Sequence, residues 1–338
     1  LTPPKKKKSS AKVKRPSPKA PKQKTAVIAL GGNAIIKPGQ EGTIAEQFAN
    51  TRESLSGIVD LIRDGYNVII THGNGPQVGN YLIREEAASH LVPRVPLGIC
   101  VAGTEGEMGY MIEQSLQNRL HKEGIDRKVV TILTQVLVDE NDPAIEEPTK
   151  FVGPFFGEKD LPRLKVETEW VIKEDPGRGY RRVVPSPIPL SVVESEVIKK
   201  LSSDGVIVIA CGGGGIPIYY MDDHILEGVD AVIDKDRASA VLAEGIGAEI
   251  FVMLTPEEAV YLDYNSPNQK KISKMTVSQA KEYHAQGHFP PGSMGPKVEA
   301  TIQFLEACGE LVVITSPEKV VSALDGKAGT WIVPNKKN

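Results

Sequence analysis

Residues Thr25-Ala26-Val27-Ile28-Ala29-Leu30-Gly31-Gly32-Asn33 decide the fold. After Thr25, five small or branched apolar residues without polar alternation read as a strand buried on both faces, and the two glycines end it. The same design recurs twice. Residues 67–71 run into His72-Gly73-Asn74-Gly75-Pro76-Gln77-Val78-Gly79, and residues 206–211 run into the four glycines at 212–215. Between the first two stretches, Leu55, Ile58, Val59 and Ile62 keep helical spacing up to Gly65. The pattern predicts further helices at about 76–90, 191–201 and 236–243, and further strands at 129–135, 249–255, 311–315 and near Trp331. Strands alternating with helices imply an α/β architecture: a mostly parallel sheet of about eight strands, covered on both faces.

One segment breaks this alternation. Residues 142–189 contain eight prolines and few helical periods. A loop of that length inside a compact domain is improbable unless it has a function, so a small excursion of irregular hairpins is expected there. At the other extreme of order, residues 1–24 hold ten of the 40 basic residues and no acid. With five prolines and four aliphatic side chains, that tail reads as disordered. The rest of the chain keeps 30 basic residues against all 43 acidic ones, a balance of −13. An acidic body argues against nucleic acid as the ligand of the folded domain. No apolar run is long enough to span a bilayer. Cys100, Cys211 and Cys308 are few and lack metal-ligand spacing, which favours a reducing, cytoplasmic setting.

The chemistry is expected at the glycine loops. In an open parallel sheet, ligands bind beyond the carboxyl ends of the strands, where glycines let backbone N–H groups approach an anion. One such loop is ordinary punctuation, but three in register suggest a cradle for phosphate or carboxylate. There is no G-x-x-x-x-G-K-[ST] motif, and Gly73-x-Gly75-x-x-x-Gly79 has one residue too many for a dinucleotide fingerprint. Lys235, between Asp234 and Asp236, and Lys297, after Gly292-Ser293-Met294-Gly295-Pro296, both fall at helix starts. The helix dipole disfavours cations there, and a bound polyanion reverses that penalty. Lys150 in the excursion reads alone as a surface residue, and Arg178, Arg181 and Arg182 as a basic cluster. His72 is placed to touch a substrate, with no acid/base role required. Cys211 reads as a small core residue, and Met108, Met111, Ile112 and Leu116 at helical spacing as core or subunit interface.

Taken together, the motifs resemble the carbamate kinases, a branch of the amino acid kinase family. The resemblance covers about residues 25–333. It rests on Ala29-Leu30-Gly31-Gly32-Asn33-Ala34, on Gly73 to Gly79, on Pro148-Thr149-Lys150-Phe151-Val152-Gly153 and on the run from Gly179 to Pro187. It continues through Gly212 to Pro217, Gly228 to Asp236 and Gly287 to Val298. Fold-related kinases typically carry a lysine in the first strand, where this chain has Ala29. In the carbamate kinase branch, a lysine of the protruding subdomain replaces it, which here is Lys150.

The resemblance implies a three-layer αβα sandwich with a protruding subdomain at about 142–189, usually as a homodimer. It implies reversible conversion of MgATP and carbamate to ADP and carbamoyl phosphate, run towards ATP in arginine catabolism. By motif match, Lys150, Lys235 and Lys297 contact the transferring phosphoryl group, and Asp236 holds lysines in position. Gly31, Gly32, Asn33, Gly73, Asn74 and Gly75 hold carbamate and that phosphoryl group. Gly213, Gly214, Asp234, Thr255, Tyr261 and Met294 fall to the nucleotide. Mg²⁺ comes with ATP or ADP. Another acyl-phosphate-forming kinase of this fold, or a nucleotide-binding relative without turnover, remain the alternatives.

Overall fold

The computed structural model describes residues 23–335 apart from 33–34, 38, 169, 176, 222–224 and 291–292. The expected disordered tail thus lies almost wholly outside the described residues, as does Asn33.

A mostly parallel eight-stranded sheet forms the centre. Its strands, numbered within the sheet, are β1 (Thr25–Leu30), β2 (Asn67–His72), β3 (Val129–Thr131) and β4 (Ile207–Ile209), then β5 (Ile250–Leu254), β6 (Lys274–Thr276), β7 (Leu311–Thr315) and β8 (Thr330–Val333). Their spatial order is β6-β8-β7-β5-β1-β2-β4-β3, and only the β7–β8 pair is antiparallel. In β1 the side-chain period of two sends Val27 and Ala29 into one apolar cluster and Ala26, Ile28 and Leu30 into the other. Both faces are therefore covered, which is why this strand carries no polar alternation. Register aligns the strand ends: Leu30 pairs with both His72 and Leu254, and Ile70 with Ile209. Gly31, Gly73, Thr255 and the 212–215 loop therefore emerge along one edge.

Several elements depart from the sequence reading. The run at 129–135 divides between β3 and a separate strand, Gln135–Val138, because the chain leaves the sheet at 132–134. There the Thr134 hydroxyl accepts the Cys211 N–H at 3.0 Å. The expected helix at 191–201 begins only at Ser195. Pro189–Val192 is instead a strand pairing with Gln135–Val138 in a four-stranded sheet. A helix at Ile44–Ser54 was not expected, although its capping box is explicit: the Thr43 hydroxyl accepts the Glu46 N–H, and the Glu46 carboxylate accepts the Thr43 N–H.

The excursion is more regular than its prolines suggest. Lys150–Phe156, Ile172–Asp175 and Gly179–Val184 form an antiparallel sheet with Gly179–Val184 in the middle. This sheet is seated on the Gly75–Ala88 helix by a glycine pair. A Cβ on Gly79 would lie 2.0 Å from the Gly153 Cα, so the two backbones touch where no side chain fits. Gly153 itself has φ +76°, and its carbonyl accepts the Arg181 guanidinium at 2.7 Å. Arg181 also stacks over Phe155 at 4.7 Å.

Candidate active site

Two helices point their N-termini at the same spot. Lys235–Ile246 begins beneath the edge of the sheet, capped by Asp234, whose carboxylate accepts the N–H groups of Asp236 and Arg237 at 3.0 and 3.4 Å. Met294–Ala307 brings Lys297 into its first turn. Asp236 joins the two, one oxygen bonded to Lys235 and the other accepting Lys297 Nζ at 2.6 Å. From the excursion, Lys150 Nζ reaches Asp234 Oδ2 at 2.5 Å. Three lysines from three elements thus meet two carboxylates.

The electrostatics follow from burial. Lys235, Lys297 and Asp236 expose only 12, 13 and 5% of their side chains. Burial drives the Lys235 ammonium down to about 8, against the pull of Asp236 and with the push of Lys297. Burial also acts against the Lys297 ammonium, but Asp236 and Asp234 outweigh it and hold its pKa above the ordinary value. Both aspartates resist burial, which alone would raise them. Lys150, then Lys235 and Lys297, hold Asp234 far below the usual carboxylate range, and Lys235 and Lys297 lower Asp236. With all five groups charged, the cluster carries one net positive charge beside two positive helix ends, the environment an oligoanion needs.

A cleft of about 420 Å³ runs from this cluster along the sheet edge. Gly31, Gly32, Lys235 and Lys297 line it together with Thr255, Tyr261, Tyr264 and Met294. A Cβ on Gly31 would sit 2.9 Å from the Leu254 carbonyl oxygen, so glycine is needed for β1 and β5 to open there side by side. Tyr264 donates to Glu257 at 2.5 Å, and its ring lies 6.0 Å from that of Tyr261. The lining therefore combines lysines with aromatic and apolar side chains, a combination suited to a planar base with a phosphate chain.

Most residues singled out in the sequence converge here. Gly73 lies against the Lys235 stem, Gly75 opens the Gly75–Ala88 helix, and Asp234 lines the cleft. Asn74 is buried, donating to the Thr104 hydroxyl at 2.9 Å. Gly213 and Gly214 do not line the cleft; they pack against the Asn74 amide and the Ile233 carbonyl. His72 is fully buried with its Nδ1 3.3 Å from the Gly73 carbonyl, so it does not face the cleft as expected. Cys211 is a core residue, as read from the sequence, and of the two readings open to Met108, Met111, Ile112 and Leu116 the core holds. Glu105, Glu257 and Tyr264 were missed. Glu105 left a signal: it sits four residues after Val101 and three before Met108, on the apolar face of its helix.

The amino acid kinase family profile matches residues 24–316. The carbamate kinase of Pyrococcus furiosus is 49% identical over 313 residues, spanning 92% of this chain and 99% of that one. Carbamate kinase from Giardia lamblia bound to citric acid superposes with a TM-score of 0.88 at 39% identity, covering 93% of this chain and 99% of that one. The same Giardia enzyme bound to AMP-PNP gives 0.85 at 40% identity, with the same coverage.

Proposed function

The chain belongs to the amino acid kinase family, and from that premise we propose that it is a carbamate kinase, catalysing ATP + carbamate = ADP + carbamoyl phosphate. The observation that carries the proposal is the convergence of three lysines on two aspartates: Lys235 and Lys297 on Asp236 in the cleft, and the half-buried Lys150 on Asp234.

A terminal β-phosphate oxygen of ADP attacks the phosphorus of carbamoyl phosphate. The bond from phosphorus to the carbamate oxygen breaks, and its electron pair leaves with carbamate. No proton moves, so no general base is required, and none of the described histidines lines the cleft. The barrier is the meeting of two anions, and it is lowered by positioning and by charge on the equatorial oxygens. Lys235 and Lys297 supply that charge from the helix ends, with Asp236 fixing both. Lys150 closes from the excursion, which acts as a protruding subdomain seated by the Gly79–Gly153 contact. The Gly31–Gly32 and Gly73–Gly75 turns offer N–H groups to carbamate and the moving phosphoryl, with Asn74 beside the second turn; the motif alone assigns Asn33 the same role. Thr255, Tyr261 and Met294 border ribose and base, Asp234 serves the nucleotide's phosphate chain through Lys150, and Gly213 and Gly214 back the site from behind Asn74.

Mg²⁺ would arrive with the nucleotide, neutralising phosphate charge. Among the described residues no three His, Cys, Asp or Glu gather to form a cage. Asp234 and Asp236 are the nearest carboxylates, a donor set that fits an ion held mainly by phosphates and water. Carbamoyl phosphate is a mixed anhydride, so transfer to ADP is downhill, and we propose ATP formation in arginine catabolism as the working direction. The assembly proposed is a homodimer, supported by the open edge strand β3 and the exposed Tyr110 and Leu133 beside it. Three free cysteines suit a cytoplasmic setting.

The test is ATP formation from ADP and carbamoyl phosphate, with the phosphates of acetylglutamate and aspartate as controls. Turnover with carbamoyl phosphate alone supports the assignment, and nucleotide binding without turnover refutes it.

A further inference from the structure

Behind the cleft, the Leu97–Glu123 helix presents adjacent residues to two different loops. Glu105 is 1% exposed. Its two carboxyl oxygens accept the Gly212 N–H at 2.9 Å and the Thr134 N–H at 3.1 Å. Its neighbour Thr104 accepts the Asn74 amide, as described above. The two loops also lock together. Gly213, at φ +67°, has the Asn74 Nδ2 2.1 Å from where a Cβ would stand. Gly214, at φ +102°, has the Ile233 carbonyl oxygen 2.4 Å from its own. Contact therefore runs from Glu105 through Gly212 and Gly213 to Asn74, and through Gly214 to Ile233, the residue before Asp234.

We propose that Glu105 is a positioning residue for phosphoryl transfer: it clamps Gly212 and Thr134, and so makes the 212–215 loop the rigid wall that holds Asn74. A buried carboxyl is costly unless its oxygens are engaged, and here both are spent on backbone amides of segments that contact the site. The proposal rests on the phosphoryl-transfer reading, because only that reading gives the 73–75 turn a substrate to hold.

The experiment compares full-length wild type, Glu105→Ala and Glu105→Gln by hydrogen exchange and by steady-state kinetics. In Glu105→Ala, amide exchange across 210–216 and across 73–76 is expected to speed at least tenfold, with β5 unchanged. KM for carbamoyl phosphate is expected to rise at least tenfold while KM for ADP stays within twofold. Glu105→Gln keeps an acceptor for one amide and should fall between. A merely structural glutamate would leave both KM values alone or move them together, and either result overturns the proposal. So does loosening of 210–216 without any change at 73–76. If Glu105→Ala does not fold, Glu105→Gln decides on the same two loops. If wild type makes no ATP, the functional reading fails, and exchange still decides whether Glu105 couples the loops.

Discussion

Two groups of buried or half-buried ionisable residues flank the 73–75 turn, and burial has opposite outcomes in them. On the cleft side, Lys150, Asp234, Lys235, Asp236 and Lys297 are interlinked, and pairing keeps Asp234 and Asp236 charged despite desolvation. Behind the turn, His72 and Glu105 face Gly212 from the same side. A Cβ there would lie 2.5 Å from His72 Nε2 and 2.7 Å from Glu105 Cγ. Here burial dominates. It drives His72 down to about 4, helped by Lys235, and Glu105 up to about 8, against its hydrogen bonds and with Glu194 adding to the rise. His72 is therefore neutral at pH 7, and the Glu105 carboxyl is held far above the ordinary carboxylate range. Burial alone does not decide whether a group is charged. The partner decides, and only the paired group is equipped to meet a polyanion.

The contrast can be broken most strongly at Asp236. Asp236→Ala leaves Lys235 and Lys297 buried together without their shared carboxylate. A loss of about 3–5 kcal/mol in stability is expected, measured by urea unfolding. Next comes Lys297→Ala, which removes one charge from the transfer site. The barrier should rise by about 2–4 kcal/mol, read as a fall of kcat/KM by two to three orders of magnitude with the fold intact.

The pair behind the turn makes its own prediction. His72 takes up a proton near 6.5 when unfolded but near 4 when folded. Its contribution is fully present above 6.5 and is lost as pH falls through 4, on the order of 3 kcal/mol. Glu105, near 4.5 unfolded and near 8 folded, contributes most below 4.5 and loses that contribution as pH rises through 8. Between 4.5 and 6.5 the two slopes offset each other. In Glu105→Gln the offset disappears, so the variant should lose stability relative to wild type as pH falls from 6.5 to 4.5. It should gain relative stability as pH rises from 6.5 to 8. Parallel stability curves for the two proteins would sink this account. The smallest effect concerns Lys235, which sheds its charge above about 8. In a kcat/KM profile, carbamoyl phosphate should lose about tenfold per pH unit above that point, and a flat profile to pH 9.5 would show the ammonium is not engaged.

How much of this was legible in the sequence depended on whether the signal was local. β1 could be read from its unbroken apolar run, and Lys235 and Lys297 from their misfit with the helix dipole. The Val129–Thr131 and Gln135–Val138 strands could not be separated, because the break falls where Thr134 meets the distant Cys211 amide, a contact no local pattern shows. The regularity of the excursion was hidden by its prolines, since the antiparallel pairing and the Gly79–Gly153 contact are long-range. His72 read as a substrate contact because its glycine neighbours suggested exposure, whereas burial of the whole of β2 turns it inward. Lys150 read alone as a surface side chain; only tertiary pairing with Asp234 brings it to the others.

Lys150 therefore gives the most direct test of the claim that three elements deliver charge to one phosphoryl group. The measurement is the initial rate of ATP formation from ADP and carbamoyl phosphate by wild type and Lys150→Ala, with the ADP Kd determined alongside. The account predicts at least a hundredfold loss of rate with the Kd within about threefold, because the excursion supplies charge to the transfer step rather than to the base. A Lys150→Ala enzyme retaining a third or more of the wild-type rate would contradict it.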